Sequence, residues 1–207
     1  MSKYNHKQSH FFAYIGRMRN IARWALMRNT YTENVQEHSH MVAVLAHALA
    51  VIHNRCSDWP GLENARPIDE GKVAVAALYH DATEILTGDM PTPIKYYNPA
   101  IKQAYKDIER TAGLKLVSML PAELQGTYLP IINVEDEYIH RIVKAADKLS
   151  AYIKCVEEMK TGNNEFKLAA EQTYKSLEKM CAELPELAYF MEHCLDSFAL
   201  TLDEVAI

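Results

Sequence analysis

Apolar residues recur at helical spacing through almost the whole chain, and the every-second-residue alternation of a half-buried strand is sustained nowhere. The sequence therefore predicts an all-α fold, a single helical bundle of about seven or more helices spanning residues 1–207. A short first helix is expected over about Ser9 to Met18, followed by an irregular basic segment from Arg19 to Arg28. Asn34 with Glu37 three residues on has the capping-box pattern, and it opens a helix to about Asn54 with Met41, Val42, Leu45, Leu49 and Ile52 on one stripe. Pro60-Gly61 marks the loop from Cys56 to Pro67, after which the helical pattern resumes from Ile68 to Leu86 and stops at Thr87-Gly88. Pro91-Thr92-Pro93 predicts a rigid loop. Asn98-Pro99 then caps a helix to about Leu120. Further helices are expected over Glu135 to Lys160, with Ile139, Ile142, Val143, Ala146, Leu149, Ile153 and Val156 inward, over Glu165 to Leu184, and over Pro185 to Phe198.

The chain has 207 residues, and its 22 Lys and Arg against 27 Asp and Glu leave a net charge of −5 with histidine neutral. That balance argues against a nucleic-acid or other polyanion binder. Cys56, Cys155, Cys181 and Cys194 show no paired spacing, so they read as buried or idle thiols and not as a zinc ribbon or disulfide framework. The longest apolar run, Met41 to Ile52, is interrupted by His47 and is too short to span a bilayer, and the start of the chain is polar. A soluble cytoplasmic protein with no membrane partner is the expectation.

The sharpest local feature is Ala76-Ala77-Leu78-Tyr79-His80-Asp81-Ala82-Thr83-Glu84-Ile85-Leu86, where three ionisable groups interrupt an apolar helix. On a continuous helix Glu84 would lie over the same face as His80 and Asp81. Burying such groups without partners costs roughly 2–7 kcal/mol even for a neutral polar group, so pairing or a metal is needed. The pair alone reads first as a hydrogen-bonded core pair and only second as a metal site. His38, in the first turn of the preceding helix, and Asp147, midway along a later one, are ligand-type side chains beside apolar stripes. Together, His38, His80, Asp81 and Asp147 would form a mixed imidazole and carboxylate shell for one divalent transition metal. Cobalt or manganese suits it, as do zinc, nickel, iron and copper, with positions left for water and substrate. His40, His47, His53, His140 and His193 are not expected to be ligands.

The order His, then His-Asp, then Asp, each on a helix, resembles the HD-domain phosphohydrolase superfamily. The segments Gln8–Ala13, Arg23–Asn29, Thr32–Ser39, Tyr79–Glu84, Leu86–Tyr96, Lys144–Glu158 and Gly162–Phe166 further resemble the bacterial 5′-deoxynucleotidases of the YfbR-like family, over nearly the whole chain. The resemblance implies hydrolysis of deoxyribonucleoside 5′-monophosphates by a metal-dependent homodimer, for which the late helices from Glu165 onward are the expected interface. A metal at the four ligands would acidify water from a pKa of 15.7 toward roughly 7 and offset phosphoryl charge. Glu84 would then be base or orienter for that water. The matched pair Arg23-Trp24 implies a guanidinium that clamps the phosphate and an indole that lies against the sugar and excludes a 2′-hydroxyl. Without the resemblance, Arg23 would read as a solvated arginine among Arg17, Arg19 and Arg28, and Trp24 as a core aromatic. Asp89, which by itself reads as a turn residue after Gly88, is implied to act at the leaving 5′-oxygen, with Met90, Pro91 and Thr92 helping to hold substrate. His38, Asp81 and Asp147 would also border the substrate.

Two other activities share these features. A triphosphohydrolase or phosphodiesterase of the same superfamily would want more Lys and Arg about the pocket. A catalytically silent nucleotide sensor would have lost ligands or base, whereas all are present. The loop from Asn54 to Glu70 is longer than the family pattern and is expected to bear on access.

Overall fold

The computed structural model describes residues 8–95 and 97–205, and in it ten α-helices and three short 3₁₀ turns make up the regular structure. The sole β pairing among the described residues is an isolated bridge between Ala22 and Asn34. After α1 (Phe11–Ile15), Asn34 caps α2 (Val35–Arg55) by accepting from the backbone N–H of Gln36 and Glu37, and the Glu37 carboxylate accepts from the Asn34 N–H in return. The Asp69 side chain caps α3 (Glu70–Leu78) by accepting from Lys72 N–H, and Asp136 caps α8 (Glu137–Lys160) by accepting from Tyr138 and Ile139 N–H. Each such cap satisfies donors that the helix itself leaves unpaired.

Helices α2 and α8 are antiparallel neighbours, since His38 meets Ser150 while His53, farther along α2, meets Tyr138. Their shared core draws Val42, Leu45 and Leu49 from α2, Ile142 and Leu149 from α8, and Val73 from α3. Leu177 of α9 (Lys167–Cys181) and Leu187 of α10 (Pro185–His193) close it. Burying side chains of this size is worth roughly 1.5–3 kcal/mol each, so this seam fixes which turn of α2 faces which turn of α8. A second cluster packs Phe11 and Ala82 against Leu116 and Val117 of α6 (Pro99–Val117) and Ile132 of α7 (Ala122–Ile132). It holds the turn after α3 in place. A third, of Cys155, Phe166 and Ala170, receives Trp24 and Met27 and so anchors the basic segment.

Several boundaries differ from expectation. The first helix shrinks to Phe11–Ile15, with a separate 3₁₀ turn at Met18–Asn20. The helix expected over Ile68 to Leu86 is two, α3 and α4 (Glu84–Thr87), because the chain tightens between them. Ala82 N–H bonds back to Tyr79 and Glu84 N–H to Asp81, over three residues instead of four, while the His80 ring takes up the Ala77 carbonyl. The stretch expected to be a rigid loop contains the single-turn helix α5 (Thr92–Lys95), in which Pro93 is tolerated because a first-turn N–H has no helical partner to lose. Helix α7 was not expected at all. Pro121 precedes it, and Pro130 forfeits its bond to Gly126 only two residues before the helix ends.

The long loop is stitched to the end of α2 by Asn54, which exchanges hydrogen bonds of 2.9 Å with both backbone groups of Ile68, and by His53 at 3.0 Å from the Arg66 carbonyl. His53 is fifteen residues along α2 from His38, about 22 Å at the helical rise, so this loop closes the opposite end of the bundle and does not gate the centre described next. No helix among the described residues is long and apolar enough to cross a membrane.

Candidate metal centre and active site

His38 is fully buried in the first turn of α2, and Asp147 lies half-buried in the middle of α8. The antiparallel seam places the imidazole Nε2 3.1 Å from Asp147 Oδ1, and Nδ1 3.0 Å from the Ser150 hydroxyl, one turn farther along α8. His80 enters from the tight turn after α3, and its ring centroid is 5.3 Å from that of His38. Its Nδ1 donates to the Ala77 carbonyl at 2.8 Å. That bond assigns the proton to Nδ1 and leaves Nε2 with a lone pair.

Donor atoms of His38, His80 and Asp147 lie within 4.8 Å of one another. Asp81 is outside that trio, yet its Oδ2 is 3.1 Å from His80 Nε2 and 3.7 Å from His38 Nε2. It is drawn to the rim by the Arg23 guanidinium at 3.3 Å. His80 Nε2 is buried without a hydrogen-bond partner even though Asp81 Oδ2 is so close, because the two are not aligned as donor and acceptor. A buried imidazole nitrogen with a lone pair and no hydrogen-bond partner, beside a carboxylate oxygen and a second imidazole, is what a shared cation would satisfy. The orienting of each imidazole through its other nitrogen is the usual support of such a ligand. The residues present therefore fit one divalent ion with nitrogen and oxygen ligands.

Charge shapes the site. Burial opposes ionisation of Asp81, but His80, His38 and Arg23 outweigh it and bring its carboxyl down to about 2. Asp147 is likewise held well below the carboxylate range, against its burial, by the hydrogen bond and charge of His38, with His80 and Arg23 adding to them. Burial disfavours the imidazolium of His80, yet Asp81 and Asp147 raise its pKa. Glu84, at the start of α4, is buried beside Asp81 and Asp89, and is pushed up to about 9. Its Oε2 has no hydrogen-bond partner. Asp89, after Gly88 at φ +74°, is raised by burial, which Arg23 partly opposes. Glu84 thus holds a proton near neutral pH and Asp89 is shifted in the same direction, beside two carboxylates shifted the other way, the separation of pKa values that acid and base roles use.

Arg23 stands at the rim with Nε 3.1 Å from Glu33 Oε2, and burial, which would lower its pKa, is overcome by Asp81, Asp147, Glu33 and Asp89. Trp24 follows it at φ +56°, the sole non-glycine residue in the left-handed region among those described, and its indole packs on Phe166 at 5.3 Å between centroids. Met90 and Pro91 are half-buried between Asp89 and α5. The Thr92 side chain lies outside the described residues. Ser150 and Glu33 were not foreseen. Ser150 sits three residues after Asp147 with nothing local to mark it, whereas Glu33, nine residues from Trp24, is legible only once the chain has looped back. Among the described residues, His10, His40, His47, His140 and His193 are exposed and do not join the His38, His80 and Asp147 group. His53 is buried in a separate cluster with Tyr138 and Glu186.

Residues 10–198 match the family described as 5′-deoxynucleotidase YfbR-like. The chain is 51% identical over 202 residues, 97% of each protein, to the 5′-deoxynucleotidase YfbR of Salmonella paratyphi B, and equally to that of Salmonella newport. Among solved structures it is similar to an HD-domain phosphohydrolase of Listeria innocua, with a TM-score of 0.77 at 20% identity over 91% of this chain and 88% of that one. It is also similar to the cyanophage S-2L HD phosphohydrolase bound to dA and one catalytic Zn²⁺ ion, with a TM-score of 0.58 at 19% identity over 89% and 96%.

Proposed function

The chain belongs to the 5′-deoxynucleotidase YfbR-like family of HD-domain phosphohydrolases and is a metal-dependent 5′-deoxynucleotidase, and on that premise we propose how its own residues carry the reaction. His38, His80, Asp81 and Asp147 hold one divalent transition metal. That ion, when bound, supplies Lewis acidity that offsets phosphoryl charge and makes hydroxide accessible near neutral pH. Arg23, with Nε on Glu33 and one N–H directed at Asp81, has three of its five N–H groups unused by these carboxylates, and they clamp the phosphoryl oxygens. Trp24 forms the wall beside the sugar and excludes a 2′-hydroxyl.

The reaction is hydrolysis of a deoxyribonucleoside 5′-monophosphate. Water oxygen bonds to phosphorus as the bond from phosphorus to the 5′-oxygen breaks. Glu84 accepts a proton from the water, and the Asp89 carboxyl supplies one to the departing 5′-oxygen, which leaves deoxyribonucleoside and inorganic phosphate. The raised pKa of Asp89 suits a proton donor, and Glu84, which holds a proton up to about 9 in the metal-free protein because of burial, Asp81 and Asp89, acts as the base where those charges are offset by bound metal and it is ionised. Met90, Pro91 and Thr92 border the nucleoside. The carrying observation is the convergence of His38, His80 and Asp147 donor atoms within 4.8 Å, beside an Asp81 carboxylate that an arginine pairs with.

Cobalt or manganese is the proposed ion, with zinc, nickel, iron and copper also suited to the donor set. The four free thiols fit a reducing cytoplasm. We further propose that residues 1–207 act as one HD domain and that two copies associate through the late helices, where Leu168 and Tyr174 of α9 are exposed. Phosphate release from metal-stripped protein tests the activity directly. Deoxyribonucleoside monophosphates are turned over once cobalt or manganese is restored, ribonucleotides and triphosphates far less. Equal triphosphate turnover, or no phosphate release under any metal, contradicts the reading.

A further inference from the structure

Residues 23–33 form a loop closed at its neck by backbone pairing. Arg23 N–H bonds the Glu33 carbonyl at 2.9 Å, and Val35 N–H bonds Ile21 at 3.0 Å. At that neck one carboxylate oxygen does two jobs. Glu33 Oε2 accepts from Arg23 Nε at 3.1 Å and from the Trp24 indole Nε1 at 3.2 Å. The Glu33 and Arg23 side chains are only 12% and 11% exposed, so water is a poor substitute for either bond. Trp24 is held in its left-handed conformation from the other side as well, where its carbonyl accepts from Met27 N–H at 2.8 Å and Asn29 Nδ2 at 3.2 Å. A strained residue persists only where its surroundings over-determine it.

We propose that Glu33 is a positioning residue that ties Arg23 and Trp24 into one unit, so that phosphate capture and discrimination against ribose depend on a single carboxylate outside the metal shell. Phosphate and sugar recognition must be held at a fixed separation, because the two groups of a nucleotide are. A shared acceptor fixes it more tightly than two separate anchors. Without the Glu33 charge, the Arg23 guanidinium is left with Asp81 as its anionic partner in this neck, and the indole loses the acceptor that orients its plane. The proposal rests on the roles assigned above to Arg23 and Trp24.

The test compares Glu33→Gln, Trp24→Ala, Trp24→Phe, Arg23→Ala and the double variants Glu33→Gln/Trp24→Phe and Glu33→Gln/Arg23→Ala, with Mn²⁺ present, on deoxyribonucleoside and ribonucleoside 5′-monophosphates. Glu33→Gln keeps size and removes charge, and it is expected to raise KM about tenfold, the scale of one charge-assisted hydrogen bond, with a smaller change in kcat. It also lowers the deoxy-to-ribo ratio of kcat/KM toward that of Trp24→Ala. In the Trp24→Phe background, which lacks the indole N–H, Glu33→Gln no longer changes that ratio. The chain has two tryptophans, so in a Trp59→Phe background Trp24 alone reports, and Glu33→Gln lowers its fluorescence anisotropy without substrate. Native KM, ratio and anisotropy in Glu33→Gln, beside a shifted ratio in Trp24→Ala, overturn the inference and leave the assignment of Trp24 intact. An unshifted ratio in Trp24→Ala instead overturns that assignment and with it the sugar half of the inference. Its phosphate half then fails if Glu33→Gln raises KM as much in the Arg23→Ala background as alone.

Discussion

Ser150 carries no charge and binds no metal in this account, yet its hydroxyl fixes which way the His38 ring faces. Replacing it by alanine is expected to weaken Mn²⁺ affinity by about 10–100-fold with the four ligands untouched, the usual scale for a group behind a ligand, as read by calorimetric titration. A second residue-level consequence concerns pH. In the metal-free protein Asp81 is held at about 2 against an ordinary 3.8, so its contribution is present above pH 3.8 and is lost as pH falls toward 2. His80 is raised above 6.5, and its contribution, full below that value, is lost as pH rises through its folded pKa. Glu84 binds a proton up to about 9 when folded but only to 4.5 when unfolded, so stability also falls between those values. Thermal unfolding of metal-free protein should therefore show greatest stability near pH 5 and a decline toward pH 9. Saturating metal flattens the alkaline limb by replacing the protons at these groups. A metal-free protein as stable at pH 9 as at pH 5 contradicts the assigned charges. His38, His80, Asp81 and Asp147 were legible because ligand-type residues beside apolar stripes need a reason to be there. Ser150 and Glu33 were not, because their meaning lies wholly in contacts made across the fold.

At the scale of elements, the cap of α2 and the apolar stripes of α2 and α8 were readable in the chain, and these two helices carry two of the ligands. The junction of α3 and α4 was not, since apolar spacing continues through Ala76 to Leu86 while the backbone tightens to present His80 and Asp81. Helix α7 was hidden by Pro121, Gly126 and Pro130, whose local preferences are outvoted by packing on Phe11 and Leu116. Gly88 ends α4 at φ +74° and ψ 163°, a conformation essentially confined to glycine. Gly88→Ala should cost about 1–3 kcal/mol in denaturant unfolding, and because Asp89 follows, kcat should fall as well. The basic segment is tied to α8 by the buried pair of Lys154 and Glu158, where Glu158 also accepts from Thr30 N–H at 2.9 Å and Asn163 Nδ2 at 2.8 Å. Glu158→Ala leaves the lysine charge buried, and a loss of about 3–5 kcal/mol is expected from the same measurement. A loss under 1 kcal/mol would show that the pair does not anchor the segment that carries Arg23 and Trp24.

For the molecule as a whole, the ligands come from α2, from the turn after α3 and from α8, so one ion cross-links the elements that share the main core. Metal binding is folding free energy in such an arrangement, about 2.7 kcal/mol at a hundred times Kd, and the melting temperature should climb with metal concentration. His38→Ala abolishes that rise if the centre is where it is proposed. The most direct measurement is the anomalous difference density of crystals grown with Zn²⁺ and recorded across its absorption edge. One peak per chain is predicted, about 2.0–2.2 Å from His38 Nε2, His80 Nε2 and carboxylate oxygens of Asp81 and Asp147. Density at any other set of side chains, or a peak at this place that survives His38→Ala and Asp147→Ala together, contradicts the account.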